Sequence, residues 1–271
     1  MTKNPESWGM KGAPDSADKR PIRDQVNAEE WQARVELAAC YRMVERFGMS
    51  DLIANHISCR VPGTHDQFLI NPFGMLYDEI DASSLVKIDV EGRTVLNGSG
   101  YGVNTAGFVI HAAIHKSRPE LACVAHTHTL AGMAVSAMKC GLMPYAQSAI
   151  PFLRLGYHDY EGVADDVDEQ ARLAADMGGF DAMILRNHGL LVGGRTVGDA
   201  FSLLYRLERA CQVQFMAMSC NTELTAPPPA VMERTFETFH SRRTHDPAFN
   251  GDLAWAGLLR RLDRTDPSYR N

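Results

Sequence analysis

The sequence predicts an α/β fold: a single three-layer α/β/α domain. Three observations carry that reading. Short apolar segments bounded by Gly, Pro and Asp turns alternate with longer segments whose apolar residues recur every three or four positions. That order stacks helices on the faces of a sheet. At 271 residues, 45% hydrophobic and 22% charged, the chain is long enough for one large core and ordinary for a globular protein. It carries no internal repeat, no G-x-G-x-x-G fingerprint and no P-loop sequence.

Residues 1–26 are polar and rich in Pro, Asp and Lys, and read as an extended arm set against a neighbouring subunit. Asn27 with Glu30 resembles a capping box that opens a helix, along which Trp31, Val35, Ala38, Tyr41 and Val44 recur until Gly48 stops it. Strands follow at 56–61, 67–71 and 85–89, separated by Pro-Gly, Pro-Phe-Gly and Glu-Gly turns. A helix over 106–116 precedes a strand ending at His126, and another helix over 130–139 follows it. An amphipathic helix over 167–177 leads to a long apolar strand over 182–194 that contains His188. A helix over 197–218 repeats Phe201, Leu204, Leu207, Cys211 and Phe215; its Arg206, Glu208 and Arg209 read as a solvated or intersubunit face. The domain proper covers 27–225. After Pro227-Pro228-Pro229, residues 226–271 form a helical extension.

The chemistry centres on His126-Thr127-His128. Alternation along a strand puts residues i and i+2 on one face, so both imidazoles point the same way. Two readings stand: a pair of neutral nitrogen ligands for a divalent metal, or two surface histidines on a half-buried strand. His188 is by itself a hydrogen-bonded core histidine. With the other two it completes a His₃ set, and three protein ligands with open positions is the pattern of a catalytic rather than a structural metal. His111 and His115, at i and i+4, share a helix face. Either both face the metal, or His111 stands behind the ligands and His115 lies on the surface. The run Tyr157-His158-Asp159-Tyr160-Glu161 is dense in acid–base groups, with Tyr145 a further candidate. It reads as a proton-transferring loop at an active-site mouth or as a hydrogen-bonded loop.

Several of these segments resemble the class II aldolase/adducin family. They are Ala125-His126-Thr127-His128-Thr129 through Gly141-Leu142, Arg186-Asn187-His188-Gly189-Leu190-Leu191, and Asn55-His56-Ile57-Ser58-Cys59-Arg60. The resemblance runs from about Asn27 to about Thr225 and implies a mixed, largely antiparallel central sheet. It implies His126, His128 and His188 as ligands of a divalent metal (Zn, Mn or Fe(II)), and a homotetramer with sites at subunit interfaces. The family's sugar-phosphate aldolases carry a fourth carboxylate ligand four residues before the position of His111; here that residue is Gly107. His56 stands where they have a phosphate-binding Asn, and Asn71-Pro72-Phe73-Gly74 replaces a more polar turn. These departures resemble the adducin-like branch, as do residues 104–111 and 156–162. They imply a pocket in which His56, Phe73, Gly74 and Phe108 meet the substrate.

A net charge of −6 argues against a general nucleic-acid or anionic-membrane binder. No apolar run approaches the ~20 residues of a membrane span, and residues 1–6 lack the apolar core of a secretory signal. Six cysteines without a C-x-x-C pair read as reduced thiols of a cytoplasmic protein. The sequence therefore points to a metal-dependent lyase that cleaves or forms a C–C bond on a small unphosphorylated 2-oxo or 2-hydroxy acid, by aldol-type chemistry or decarboxylation. His111 or the Tyr157–His158 segment would carry the proton. A non-haem Fe(II) oxygenase acting on such an acid is the second expectation, and an adducin-like non-enzymatic binding protein the third.

Overall fold

An eight-stranded sheet organises the chain in the computed structural model, which describes residues 20–162 and 168–271. Most of the expected arm, and Val167 at the expected start of a helix, lie outside the described residues. In chain order the strands are β1 (His56–Arg60), β2 (Gln67–Ile70), β3 (Val86–Asp89), β4 (Thr94–Leu96), β5 (Cys123–Thr127), β6 (Gly156–His158), β7 (Ala182–Leu185) and β8 (Gly189–Gly194). They lie in the order β4-β3-β2-β1-β5-β8-β7-β6. Every pairing is antiparallel except β6 with β7, so the sheet is mixed and largely antiparallel. The three-residue β4 gives too short a pattern to be read from sequence.

The helices are α1 (Ala28–Arg46), α2 (Thr105–Ser117), α3 (Leu130–Ser136), α4 (Glu169–Met177), α5 (Val197–Ser219), α6 (Pro229–Arg243) and α7 (Asp252–Thr265). Strand alternation divides them into layers. Ile57, Cys59, Cys123, Ala125, Ile184 and Val192 face a core shared with α1, α3 and α5. Val124, Met183, Leu185 and Leu191 face Ile110, Ala113 and Ile114 of α2 and Leu173 and Met177 of α4. Burying one such side chain stabilises by about 1.5–3 kcal/mol, so a one-residue register slip in the central strands would exchange both cores and is excluded.

Asn27 caps α1 as expected, accepting from the Glu30 amide at 2.8 Å. Glu30 does not close the box. Its carboxylate instead pairs with the fully buried Arg34 and with Lys87 of β3. Helix α3 ends at Ser136, short of the expected 139. The C-terminal segment packs on its own chain: Phe239, Trp255, Leu262 and Tyr269 enter the same core as α1 and α5. Among the described residues no helix is long and apolar enough to cross a membrane.

Candidate metal centre

Three histidines converge where β5 ends. His126 is the penultimate residue of β5 and His128 lies just beyond it, so alternation sends both imidazoles to the α2 side of the sheet. His188 arrives from the opposite direction. The apolar run 182–194 is not one strand but a hairpin, with Leu185 paired to Gly189 and residues 186–188 forming the turn. Asn187 makes the reversal at φ +55, a left-handed conformation that asparagine tolerates. A side chain on Gly189 would collide with the Thr127 carbonyl oxygen, so glycine lets the hairpin close against β5.

The Nε2 atoms of His126 and His128 stand 2.8 Å apart, and those of His128 and His188 2.9 Å apart. His126 Nδ1 lies 2.9 Å from the Leu190 carbonyl oxygen, which only accepts, so Nδ1 carries the ring proton and Nε2 offers a lone pair. His128 Nδ1 faces the Asp51 carboxylate at 3.2 Å, which assigns that ring the same way. Lone pairs facing one another at this distance repel unless a cation lies between them. Burial, then the neighbouring imidazoles, push the pKa of His126 well below the ordinary histidine range. Burial first, then His128 and His158, lower that of His188 to about 4. Neutral nitrogens with their second nitrogen anchored are what a divalent metal requires. The donor set fits a metal, and among the described residues it is the one His/Cys/Asp/Glu group of three or more that converges in this way.

The triad lines a cavity of about 360 Å³ whose walls are Ala54, Ala106, Ile110 and Met133. His56, Asn104, Asn187 and Tyr160 add polar groups, and among the described lining residues there is no Lys or Arg. His56 also explains Gly107. A Cβ on Gly107 would lie 2.6 Å from a His56 ring carbon, so the imidazole fills the space a side chain at 107 would enter. The sequence left two positions open to His111, facing the metal or standing behind the ligands. His111 sits one layer back: its Nδ1 meets Ser58 Oγ at 2.6 Å, and the same hydroxyl meets His115 Nε2 at 2.7 Å. His115 is buried under Phe68, not on the surface.

Other expected site residues lie away from the cavity. Tyr157 and His158 belong to β6 rather than to a loop. The Tyr157 hydroxyl accepts from the Leu142 amide at 3.0 Å, and its ring lies under the Arg186 guanidinium. His158 is held on both nitrogens, by Asp176 at 2.7 Å and Glu169 at 3.2 Å, and straps β6 to α4. Phe108 packs against the β2–β3 side of the sheet. Phe73 and Gly74 sit on the turn after β2, beside Gly102 and Tyr101. Tyr145 does not line the cavity either. Of the acid–base run, Tyr160 reaches the cavity; its ring is 6.4 Å from that of His188. Glu208, expected on a solvated or intersubunit face, is 4% exposed and accepts from Thr129, the N-cap of α3 next to His128. Asp51 and Glu208 escaped the sequence reading because they are 77 and 79 residues from the groups they hold.

Comparison with known proteins follows the same outline. The family described as Class II Aldolase and Adducin N-terminal domain matches residues 35–215. A Pseudomonas aeruginosa protein, provisionally named for aldolase class 2, is 48% identical over 250 residues, covering 92% of this chain and 96% of its own. Alpha-adducin of Rattus norvegicus is 46% identical over 188 residues, 69% of this chain but 26% of the adducin. Among solved structures, an aldolase II superfamily protein from Pseudomonas syringae superposes with a TM-score of 0.87 at 46% identity, covering 93% of this chain and all of that one. L-fuculose 1-phosphate aldolase from Glaciozyma antarctica superposes with a TM-score of 0.78 at 28% identity, over 90% of this chain and 94% of that one.

Proposed function

This chain belongs to the class II aldolase and adducin family, and we propose that it is a metal-dependent lyase acting on an unphosphorylated 2-oxo or 2-hydroxy acid. One observation carries the reading: three imidazoles from two strand ends whose Nε2 atoms converge in one cavity. His126, His128 and His188 would hold a divalent metal, with zinc, manganese and Fe(II) all suited to imidazole. Bound there, the metal supplies a Lewis-acid charge that draws electron density from a substrate oxygen.

The rest falls to the chain itself. The Leu190 carbonyl and Asp51 fix the rings of His126 and His128. Ala54, Ala106, Ile110 and Met133 exclude water around the reacting carbons. The amides of Asn104 and Asn187, together with His56, supply hydrogen bonds that orient substrate oxygens. The Tyr160 hydroxyl at the mouth donates or accepts the proton. Gly107 offers no carboxylate for that task, and His56 fills its place. The Glaciozyma relative is named for a sugar phosphate. A phosphate calls for cations or several convergent donors, and the absence of Lys and Arg from the described lining supports an acid without one. The reading includes a homotetramer in the cytoplasm; elution at monomer mass on size exclusion would contradict it. The likeness to alpha-adducin favours a second reading, a binding module without catalysis.

A substrate screen separates these. Metal-loaded protein is incubated without oxygen with unphosphorylated 2-oxo and 2-hydroxy acids, and with L-fuculose 1-phosphate. Carbonyl product or CO₂ released from an acid is expected. Cleavage of the sugar phosphate alone overturns the substrate class. Substrate-dependent O₂ uptake with iron converts the reading to an oxygenase. No turnover with any metal leaves the binding module.

A further inference from the structure

A second cavity, of about 490 Å³, lies away from the metal centre and shares no lining residue with it. It opens between α5 and α7, beside the end of α1, and has an aromatic wall. Phe47 lies 5.8 Å from Phe201 and 5.3 Å from Tyr205, and Phe201 lies 5.5 Å from Trp255, ring to ring. Arg206 and Arg209 of α5 stand at the same cavity. Arg206 has no carboxylate partner among the described residues. Arg209 donates to the Tyr205 hydroxyl and to Gln212, both neutral. Arg206 lies over the Phe239 ring, 5.5 Å from its centroid. Burial holds its pKa below the usual arginine value, with no anion to offset the loss of hydration.

Arg206 is half-buried with no carboxylate beside it, which is costly, and the half-buried Phe47 and Tyr205, backed by the core rings of Phe201 and Trp255, form an aromatic wall next to it. One chemistry answers both. We propose that this cavity binds a small anion with an apolar body, a carboxylate on an aromatic or branched aliphatic frame. The body lies against Phe47, Phe201, Tyr205 and Trp255, and the carboxylate meets Arg206. The site is independent of the metal centre and of the reading given above for it.

The test uses the full chain and 1-anilinonaphthalene-8-sulfonate, a fluorescent anion with an aromatic body, as the probe. Two substitutions are compatible with the fold. Arg206→Gln keeps length and polarity. Gly257→Leu fills the cavity from α7, where a new Cβ would meet only the far end of Arg260 at 3.7 Å and a helix-interior glycine is replaced by a better helix former. Circular dichroism and size exclusion accompany each variant. The expected result is one probe per chain, bound about 10-fold more weakly by Arg206→Gln and not by Gly257→Leu, with a simple carboxylate such as indole-3-acetate displacing it. Probe binding unmoved by both substitutions overturns the proposal. So does a wild-type chain that takes no probe; if Gly257→Leu also dissociates the oligomer, the face belongs to a second copy.

Discussion

The triad and His158 use histidine differently, and they differ in what the second ring nitrogen meets. In the triad, His126 and His128 each anchor one nitrogen, to Leu190 and to Asp51, while Nε2 of His128 faces Nε2 of His126 and of His188 across less than 3 Å. At His158 both nitrogens meet carboxylates, and nothing is left to coordinate. Both lie in dense polar sequence near strand ends. The difference shows that a ligand histidine is recognised by the nitrogen it leaves unspent, not by how many acid–base residues surround it.

Substitution tests that contrast most sharply. His188→Ala is expected to weaken metal binding by more than about 100-fold, beyond the 10- to 100-fold cost of losing an outer partner, with a fold near wild type. His158→Ala should leave metal affinity unchanged and lower the unfolding midpoint, a cost of about 1–3 kcal/mol. Metal titration and thermal unfolding of both variants check this, and reversed results would dissolve the distinction.

The inner histidines extend it through pH. Burial lowers His111 and His115 to a pKa of about 3. Between the unfolded value of about 6.5 and that folded value, the unfolded chain binds more protons, so stability falls as the pH falls through this window. Each group contributes up to about 1.4 kcal/mol per pH unit. Denaturant unfolding at pH 7, 6, 5 and 4 should show the loss, and a variant with both replaced by Gln should make it shallower, leaving the share of His56, His126 and His188.

Gly107→Ala drives a methyl into the His56 ring and should cost about 1–3 kcal/mol. Combined with His56→Ala, most of that cost should vanish; a double-mutant cycle with no coupling would separate the two residues. Asp51→Asn is the mildest change. It keeps an acceptor for His128 Nδ1 but loses the charge, and metal affinity should drop about 10-fold.

Legibility followed contact range. The helix over 28–46 was readable because Asn27, the apolar repeat and Gly48 are local signals. The convergence of His126, His128 and His188 was readable because strand alternation aims two of them and the third lay in the same resemblance. The hairpin at His188 was not: periodicity cannot tell two strands and a turn from one apolar run, and the reversal depends on Asn187 at positive φ and on how close Gly189 comes to β5. The Tyr157–Glu161 run was readable as chemistry but not as geometry. Its pairing with β7 turns Tyr157 and His158 into struts and leaves Tyr160 at the cavity. That His56 fills the space over Gly107 is a contact between residues 51 positions apart, visible only once α2 lies on β1.

The account rests most directly on whether this chain takes up a metal through three histidines. Metal-stripped protein titrated with Zn²⁺ at neutral pH should bind one ion per chain, with an X-ray absorption edge fitted by three imidazole nitrogens at about 2.0–2.1 Å, and His126→Ala should abolish that site. Absence of stoichiometric binding, or a site that survives His126→Ala, would contradict it.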